Sequence, residues 1–320
     1  ERALRAGVGR IVVDSLGEIE QLADLAGELQ LPAPVMIRVT TGVHAGGHDF
    51  IATAHEDQKF GLSLASGAAR AAVDAVLARP ELTLLGLHSH IGSQILDLSA
   101  FEHAAGALLR LRAEVATDTG MLMPELDLGG GYGISYTGAD TPPTPAVIAP
   151  ALADVVRRAS AELGSAPPRV SVEPGRAVVG PAGLTLYRVG TVKPVALDGG
   201  TERRYVSVDG GMSDNIRTAL YDAEYTAALA GRTSQAPAVV SRVVGKHCES
   251  GDIVVRDVLL PDDVAPGDLL AVPATGAYGR SMASNYNHIP RPGVLAVRDG
   301  QSRFIVRPET EEDLLALELG

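Results

Sequence analysis

In the first half of the chain, short apolar runs alternate with longer stretches in which apolar residues recur at helical spacing. The runs are rich in β-branched residues, and the stretches are rich in Ala, Leu and Glu. This alternation predicts strands joined by helices, and therefore parallel pairing through right-handed crossovers. The predicted strands are Arg10–Asp14, Val35–Thr40, Leu82–His88, Glu125–Leu128 and Arg169–Glu173, and the predicted helices are Glu18–Leu29, Leu62–Leu77, Ala100–Val115 and Val147–Leu163.

The number of predicted strands leaves two architectures open for this α/β half. Five strands of this type are visible in the sequence, whereas a closed parallel barrel needs eight. Either the sheet is open and doubly wound, or it is a TIM-type (β/α)8 barrel whose first three βα units are absent from this chain. Both architectures place their chemistry beyond the carboxyl ends of the strands.

The pattern changes from about Tyr187, where helical periodicity fades and short apolar runs are separated by Gly, Pro and Asp. This pattern predicts a C-terminal antiparallel β domain, so that the domains are residues 1–181 and 182–320. Its predicted strands are Tyr205–Val208, Val239–Val244, Ile253–Val255, Leu269–Val272, Val294–Val297 and Phe304–Val306, and its predicted short helices are Asp214–Leu220 and Glu309–Leu317.

Composition narrows the possible functions. The chain has 320 residues, of which 46% are hydrophobic, enough for a sizeable core. A formal charge of −12 argues against nucleic acid or an anionic membrane as partner. No apolar run reaches the roughly 18 residues of a membrane span. The single cysteine, Cys248, excludes a disulfide framework and a cysteine-based zinc site.

Three segments that follow predicted strands carry the candidate chemistry of the first half. His88 and His90 could stack on a ring, exchange protons, bind a metal or form a structural pair, and we expect one of the two to face the site. Residues Asp127–Gly133 contain three consecutive glycines, whose N–H groups could converge on an anion or simply form a tight turn. Residues Glu173–Arg176 combine a carboxylate with a guanidinium, which suits a phosphate or carboxylate.

The second half contributes three further segments. Arg217 and Tyr221 are four residues apart, which predicts that both lie on one helix face. Cys248 stands beside Glu249 in a polar, turn-like segment, so a functional thiol and a small buried hydrophobe are equally open interpretations. Residues Ala277–Asn287 are too polar and aromatic for a core and too patterned for a linker.

Taken in this order, six segments resemble the fold-type III pyridoxal-phosphate decarboxylases: GLHSHIGSQ, LDLGGGYGISY, VEPGRAVVG, VDGGMSDNIRTALY, GKHCESGDIVVRD and ATGAYGRSMASNYN. The Cys-Glu-Ser sequence is most similar to the branch that acts on meso-2,6-diaminopimelate. The resemblance implies a (β/α)8 barrel followed by a β domain, and pyridoxal 5′-phosphate as cofactor. It also implies conversion of meso-2,6-diaminopimelate to L-lysine and CO₂, the last step of lysine biosynthesis.

The resemblance assigns cofactor-binding roles by position. His90 is similar to the catalytic histidine that stacks on the pyridine ring, and Ser93 is similar to a residue near the phosphate. Glu173 is similar to the carboxylate that pairs with the pyridine nitrogen and keeps it protonated. The other cofactor-binding residues that the resemblance implies are Gly129, Gly130, Gly131, Gly175, Arg176 and Tyr278.

The substrate-binding residues that the resemblance implies are Arg176, Arg217, Tyr221, Glu249 and Tyr278. Arginine suits the carboxylate that the product retains, and Glu249 is similar to the residue that holds the distal ammonium. Cys248 is similar to the catalytic acid that protonates the carbanion. In the family the Cys–Glu segment reaches the cofactor of the neighbouring subunit, which implies a homodimer with shared active sites.

The family binds its cofactor through a Schiff-base lysine on the first barrel strand, and none of Lys59, Lys193 and Lys246 stands in an equivalent segment. The missing Schiff-base lysine and the count of five strands together predict that the chain is truncated at its N-terminus. Such a chain would be inactive. Two alternatives remain: a decarboxylase of another basic amino acid, of ornithine or carboxynorspermidine type, or a non-catalytic regulatory homologue. We expect an amino-acid substrate, no nucleic-acid, membrane or metal partner, and a cytoplasmic location.

Overall fold

A computed structural model describes residues 1–43 and 59–320, which divide into two units with different strand arrangements. The first unit comprises Glu1–Gly133 and Thr141–Gly175, and the second comprises Ile134–Asp140 and Arg176–Gly320. The division into domains 1–181 and 182–320 stays a prediction, because compact units in a structure need not be the units that fold independently.

The first unit alternates strands and helices, as the apolar pattern predicts. Its elements are α1 Arg2–Arg5, β1 Ile11–Val13, α2 Leu16–Leu29, β2 Ala33–Thr40, β3 Leu62–Ser63, α3 Ala68–Leu77, β4 Leu82–His88, α4 Ser99–Thr119, β5 Glu125–Asp127, α5 Pro145–Glu162 and β6 Arg169–Ser171. A short helix, α6 Gly175–Val179, lies where the two units join in sequence.

All strands of the first unit pair in parallel, in the order β1-β2-β4-β5-β6, with β3 added beside the carboxyl end of β2. The count of five strands was therefore wrong, because the described residues contain six. Leu62–Ser63 pairs with β2 through Val39 and does not begin the helix, which starts only at Ala68, after Gly67 with φ +82°. A two-residue apolar run has no periodicity that could distinguish a strand from a helix start.

The parallel sheet is curved like part of a barrel wall. The carboxylate of Glu125 on β5 bonds Arg169 of the adjacent strand β6 and also Arg10, directly before β1. Strands β2 and β4 lie between β1 and β5 in the sheet, so only a curved sheet brings Arg10 to Glu125. The bond from Arg10 is the largest of the effects that hold the pKa of Glu125 below its usual value. The predicted three absent barrel units stay a prediction.

The helices of the first unit bury one apolar face each. Helix α3 buries Ala69, Ala72, Val73 and Val76, the i, i+3, i+4 and i+7 positions that form one stripe on a helix. Helix α2 begins after Ser15, whose hydroxyl accepts the N–H of Glu18 at 3.2 Å. Within residues 1–43 and 59–320, no helix combines the length and apolar content that crossing a membrane requires.

The second unit is built mainly from strands. Its elements are β7 Leu184–Ala196, β8 Glu202–Val208, α7 Arg217–Tyr221, β9 Ala228–Leu229, β10 Ala238–Val244, β11 Ile253–Pro261, β12 Leu269–Pro273, α8 Gly279–Met282, a 3₁₀ turn Tyr286–His288, β13 Val294–Arg298, β14 Gln301–Val306 and α9 Glu311–Leu315. One sheet has the order β11-β10-β8-β7-β12-β9, and β13 and β14 form a separate hairpin.

Antiparallel pairing dominates the second unit, with one exception that the sequence analysis did not foresee. Strands β8 and β10 run parallel, with Ser241 beside Arg204. The prediction of an antiparallel domain was therefore wrong at this pair. The chain between β8 and β10 includes α7 and β9, and such a long connection lets a strand return in the same direction.

The core of the second unit includes a segment that lies far from it in sequence. Ile134 and Tyr136 belong to one buried apolar cluster with Tyr187 and Leu270 of the sheet and Tyr225, which lies between α7 and β9. Residues 134–140 follow the glycine run after β5, so they connect that run to the core of the second unit along the chain.

Candidate functional site

A row of polar side chains crosses the parallel sheet at the carboxyl ends of its strands. Arg38 on β2 is in register with His88 on β4, and His88 is in register with Asp127 on β5. Side chains in register on neighbouring strands share one face of a sheet. The curved sheet therefore presents a cation, an imidazole and a carboxylate side by side.

These ends open into a cleft of about 510 Å³. Its lining residues are Val12, Asp14, Glu18, Arg38, His88, His90 and Glu173. The expectation that only one of the two histidines faces the site was wrong, since both line the cleft. Positions i and i+2 of an extended segment lie on the same face, so His88 and His90 point the same way.

His90 has a neutral imidazole in this cleft. Its Nδ1 accepts the backbone N–H of Gly130 at 3.2 Å, which requires an unprotonated Nδ1. Although the side chain is exposed, loss of water around the ring lowers the pKa of His90, and the nearby charge of Arg38 lowers it further. A neutral ring suits stacking on another planar ring.

We expect the ring of His90 to titrate below its usual value of 6.5. Because the folded state binds this proton less tightly than the unfolded state, the contribution of His90 to stability is present above the unfolded pKa. It is lost as the pH falls from the unfolded pKa to the lower folded pKa. NMR titration of the His90 Hε1 signal, assigned with His90→Gln, measures the midpoint. A midpoint at or above 6.5 would contradict the expectation.

The glycine run is packed too closely for any side chain. A Cβ on Gly129, where φ is +66°, would lie 2.5 Å from the carbonyl oxygen of Ser89, and one on Gly131 would lie 2.3 Å from that of Gly92. These glycines allow the loops after β4 and β5 to pack directly against each other. The sequence analysis explained the glycines by anion binding or a tight turn and missed this packing requirement.

Two of the three N–H groups predicted to hold an anion already have protein acceptors. The N–H of Gly129 donates to Asp127 Oδ1 at 2.8 Å, and that of Gly130 donates to His90 Nδ1. In the described part of the chain, Gly131 is the one of the three whose N–H has no protein acceptor. The N–H of Gly131 is therefore the group most directly available to an anion.

Gly130→Ala is expected to destabilise the first unit by about 1–3 kcal/mol, the usual cost of overpacking. The new Cβ would lie 2.4 Å from the carbonyl oxygen of Glu173, and backbone cannot yield as a flexible side chain can. Gly17→Ala is the control, because a Cβ there meets nothing within 4 Å on helix α2. Urea unfolding of both variants measures the difference, and equal stability of the two would contradict this packing argument.

Glu173 extends the pairing of β5 and β6 beyond the strands. Its N–H donates to the carbonyl of Gly129 at 2.9 Å, which fixes its backbone at the edge of the cleft. Its side chain is 50% exposed, and its Oε1 lies 3.5 Å from Nε2 of His88. A carboxylate is thus held at the cleft with one edge accessible to a ligand.

Other predicted residues of this half, and the lysines, lie around or away from the cleft. Ser93 is exposed in the loop after β4, and Gly175 is exposed at the start of helix α6. Lys59 holds its ammonium 5.0 Å from the ring of Phe60. Lys193 lies on β7, and Lys246 follows β10. None of the three lysines lines the cleft.

In the second unit, two arginines and Tyr136 form a compact group. Arg176 donates to the hydroxyl of Tyr136, and the guanidinium carbon of Arg217 lies 4.8 Å from the centre of the same ring. Tyr278 lies 4.9 Å from the guanidinium of Arg176 and 5.9 Å from that of Arg217. Aromatic faces attract cations, so the shared rings allow two like charges to lie close together.

Arg217 is the more buried of the two arginines. It is 7% exposed and donates to the hydroxyl of Tyr225 at 2.5 Å. Among the described residues no carboxylate lies within ion-pair distance of it. A buried guanidinium normally has an anionic partner. Its environment therefore points to an anionic ligand, and a carboxylate fits its forked donors.

Tyr221 does not join this group. It is 61% exposed at the end of helix α7, whereas Arg217 at its start is buried. The helix is five residues long, with Arg217 first and Tyr221 last, and it ends at Asp222 in the left-handed conformation. The two side chains differ in burial, and the expectation that they lie on one helix face stays a prediction.

Cys248 and Glu249 lie on an exposed loop that a buried carboxylate holds in place. Asp252 is 3% exposed and accepts the N–H of Met212 at 2.6 Å and that of His247 at 2.7 Å. The Glu249 carboxylate accepts the hydroxyl of Tyr286, which raises the pKa of that phenol. Cys248 is exposed. The loop thus presents an accessible thiol beside an oriented carboxylate.

The structure thus brings the predicted residues into three groups. The first contains His90, the glycine run and Glu173, the second contains Arg176, Arg217 and Tyr278, and the third contains Cys248 and Glu249. The sequence analysis missed the residues that hold these groups in place, which are Arg38, Tyr136, Tyr225, Asp252 and Tyr286. Arg38 is a charged residue within an apolar predicted strand, and Tyr136, Asp252 and Tyr286 lie in the family-like segments, but nothing in their local sequence shows what they contact.

Comparison with known proteins gives consistent matches over the whole chain. The family described as pyridoxal-dependent decarboxylase, pyridoxal binding domain, matches residues 1–180. Diaminopimelate decarboxylase of Mycobacterium tuberculosis is 55% identical, covering 99% of this chain and 72% of that protein. The enzyme of the same name from Bacillus subtilis is 44% identical, covering 99% of this chain and 71% of that protein.

Solved structures of similar proteins agree with the described fold. The crystal structure of diaminopimelate decarboxylase from M. jannaschii in complex with L-lysine is 32% identical, with a TM-score of 0.90 over 100% of this chain and 71% of that chain. Lysine/ornithine decarboxylase of Vibrio vulnificus, complexed with cadaverine, is 22% identical, with a TM-score of 0.69 over 90% of this chain and 68% of that chain. The second similarity shows a shared fold alone.

Proposed function

The chain belongs to the pyridoxal-dependent decarboxylases, and from that premise we propose that it converts meso-2,6-diaminopimelate to L-lysine and CO₂. This reaction is the last step of lysine biosynthesis. The observation that carries the proposal is 55% identity to a diaminopimelate decarboxylase over 99% of the chain, which includes both units.

The residues of the cleft fit pyridoxal phosphate. Glu173 offers an accessible carboxylate for the pyridine nitrogen, and the neutral ring of His90 is suited to stack on the pyridine. The N–H of Gly131 remains available to the phosphate. We infer that Ser93, Gly129, Gly130, Gly175, Arg176 and Tyr278 complete the set of cofactor-binding residues.

When bound, pyridoxal phosphate supplies the electron sink that accepts the electron pair left by the departing carboxyl group. The carboxylate of Glu173 holds a proton at the pyridine nitrogen, which makes that sink deeper. The neutral imidazole of His90 would contact the face of the pyridine ring when the cofactor is bound. The loops after β4 and β5 exclude water from one side of the site, because their backbones pack directly together.

Substrate recognition rests on charge complementarity. Arg217, with Arg176 beside Tyr136, binds the carboxylate that the product retains, since Arg217 is buried and has no carboxylate partner among the described residues. Glu249 binds the distal ammonium, and Tyr278 and Tyr221 are further substrate contacts. Cys248 delivers the proton that replaces CO₂ at the reacting carbon, and its exposed thiol is accessible for that step.

We infer a homodimer in which the loop carrying Cys248 and Glu249 serves the active site of the neighbouring subunit. The exposure of Cys248 supports this inference, because it leaves the thiol accessible to a neighbouring subunit. The biosynthetic role also leads us to infer a cytoplasmic location.

A substrate comparison tests the proposal. The protein as encoded by its gene is supplied with pyridoxal phosphate and assayed for CO₂ release from meso-2,6-diaminopimelate and from ornithine. Ornithine lacks the distal carboxylate, so we expect a preference in kcat/KM on the order of 10⁴ for meso-2,6-diaminopimelate. Preferred turnover of ornithine would establish the alternative decarboxylase. No turnover of either substrate, with the cofactor bound, would favour a regulatory homologue.

A further inference from the structure

His88 lies at the end of β4 between two carboxylates and has no role in the chemistry described so far. Its side chain is 4% exposed. One ligating atom each from His88, Asp127 and Glu173 lie within 4.8 Å of one another. Asp127 is itself buried, and its Oδ1 accepts the N–H of Gly129. Because the imidazole is buried beside two carboxylates, the ring nitrogen that carries the proton determines which hydrogen bonds it can form.

The surroundings of the two ring nitrogens of His88 select one tautomer. Nε2 lies 3.5 Å from Oε1 of Glu173, which is within ion-pair distance and slightly longer than an ordinary N–H···O hydrogen bond. Nδ1 is buried and has no hydrogen-bond partner in the described residues. A proton on Nδ1 would leave a buried donor unpaired and would turn the Nε2 lone pair toward a carboxylate oxygen. A proton on Nε2 avoids both costs.

We propose that His88 is a positioning residue that, as the Nε2–H tautomer, donates to Oε1 of Glu173 and thereby holds the carboxylate that pairs with the cofactor's pyridine nitrogen. The role of Glu173 in this inference rests on the proposed function. The tautomer of His88 does not depend on that function. With Oε1 oriented by His88, Oε2 is left for the ligand.

The half-exposed side chain of Glu173 explains why such a residue is needed. No other side-chain bond to its carboxylate is present in the described part of the chain, so without His88 it would rotate toward solvent. One ring nitrogen of His88, one oxygen of Glu173 and one of Asp127 lie within 4.8 Å of one another, so a proton on the ring reduces the repulsion of two nearby negative charges. Orientation and charge thus depend on the same imidazole.

The first test reads the tautomer in the cofactor-free protein. Two-bond ¹H–¹⁵N spectra of imidazole-labelled protein, with His88 assigned by comparison with His88→Gln, distinguish a protonated Nε2 from a protonated Nδ1. We expect the Nε2–H pattern for His88. The Nδ1–H pattern overturns the proposal whether or not the protein decarboxylates meso-2,6-diaminopimelate, so the two failures are distinguishable.

The second test compares His88→Leu with His88→Gln, whose amide keeps a donor. We expect the dissociation constant for pyridoxal phosphate, measured by fluorescence quenching, to rise about 10–100-fold in His88→Leu and to return to within a few-fold of normal in His88→Gln. His103→Gln, an exposed change on helix α4, is the matched control. Normal binding by a folded His88→Leu, or equal losses in both His88 variants, would overturn the proposal. If His88→Leu does not fold, the tautomer measured in the first test decides whether the proposal stands.

Discussion

Glu173→Gln is expected to lower kcat about 10²–10³-fold, the usual loss when one preorganised electrostatic group is removed. The amide matches the carboxylate in shape but carries no charge, so it cannot hold a proton at the pyridine nitrogen. The backbone bonds of Glu173 to the glycine run do not involve the side chain, so the fold stays intact. Because the lost interaction acts on the reacting state, kcat should fall more than KM rises.

Steady-state kinetics of the cofactor-loaded protein measure this effect, and its absorbance spectrum reports the protonation state of the ring nitrogen. Glu162→Gln, at the exposed end of helix α5, is the matched control. If Glu173→Gln retained more than a tenth of the normal kcat, the ring nitrogen would have another partner, and the assignment of Glu173 would be wrong.

Arg217→Gln is expected to raise KM for meso-2,6-diaminopimelate by about 10–100-fold, since hydrogen bonds to a charged group contribute roughly 1.5–3 kcal/mol. Arg217 is 7% exposed and has no carboxylate partner among the described residues, so its charge is available to the substrate. Arg217→Lys should recover only part of the loss, because an ammonium keeps the charge but not the forked donors.

Arg242→Gln is the control for loss of a stacked arginine. Arg242 lies 5.9 Å from the ring of Tyr205 and pairs with Asp257, so its removal affects stability without touching the group around Arg217. Thermal unfolding separates the two effects. An unchanged KM in a folded Arg217→Gln variant would show that the distal carboxylate binds elsewhere.

Much of the fold could be predicted because its signals are local. The apolar run at Leu82–His88 became strand β4 with the same bounds, and the stretch at Val147–Leu163 became helix α5 within two residues. Strand β3 and the parallel pairing of β8 with β10 could not be predicted, because each depends on a partner far away in sequence. Apolar pattern identifies an element but not its neighbour.

Some features of the candidate site could also be predicted from the sequence, whereas others are visible only in the structure. The motifs identified Glu173 and Arg217 by residue type and order, and the structure places both where a ligand could use them. It also shows that Gly129 and Gly130 already donate to protein atoms, and that Tyr221 is exposed at the end of a short helix. Hydrogen-bond partners and burial are properties of the folded chain, so residue order cannot reveal them.

By itself, the sequence determined the family, the cofactor class and the residues that end the strands, because these follow from motifs and local periodicity. Only the tertiary structure decided that His88 faces Glu173 and that Arg217 is buried without a carboxylate partner among the described residues. It also decided that Asp252 holds the loop of Cys248. The physical reason is that these contacts join residues distant in sequence, and their energies depend on burial and distance, which exist only after the strands have paired.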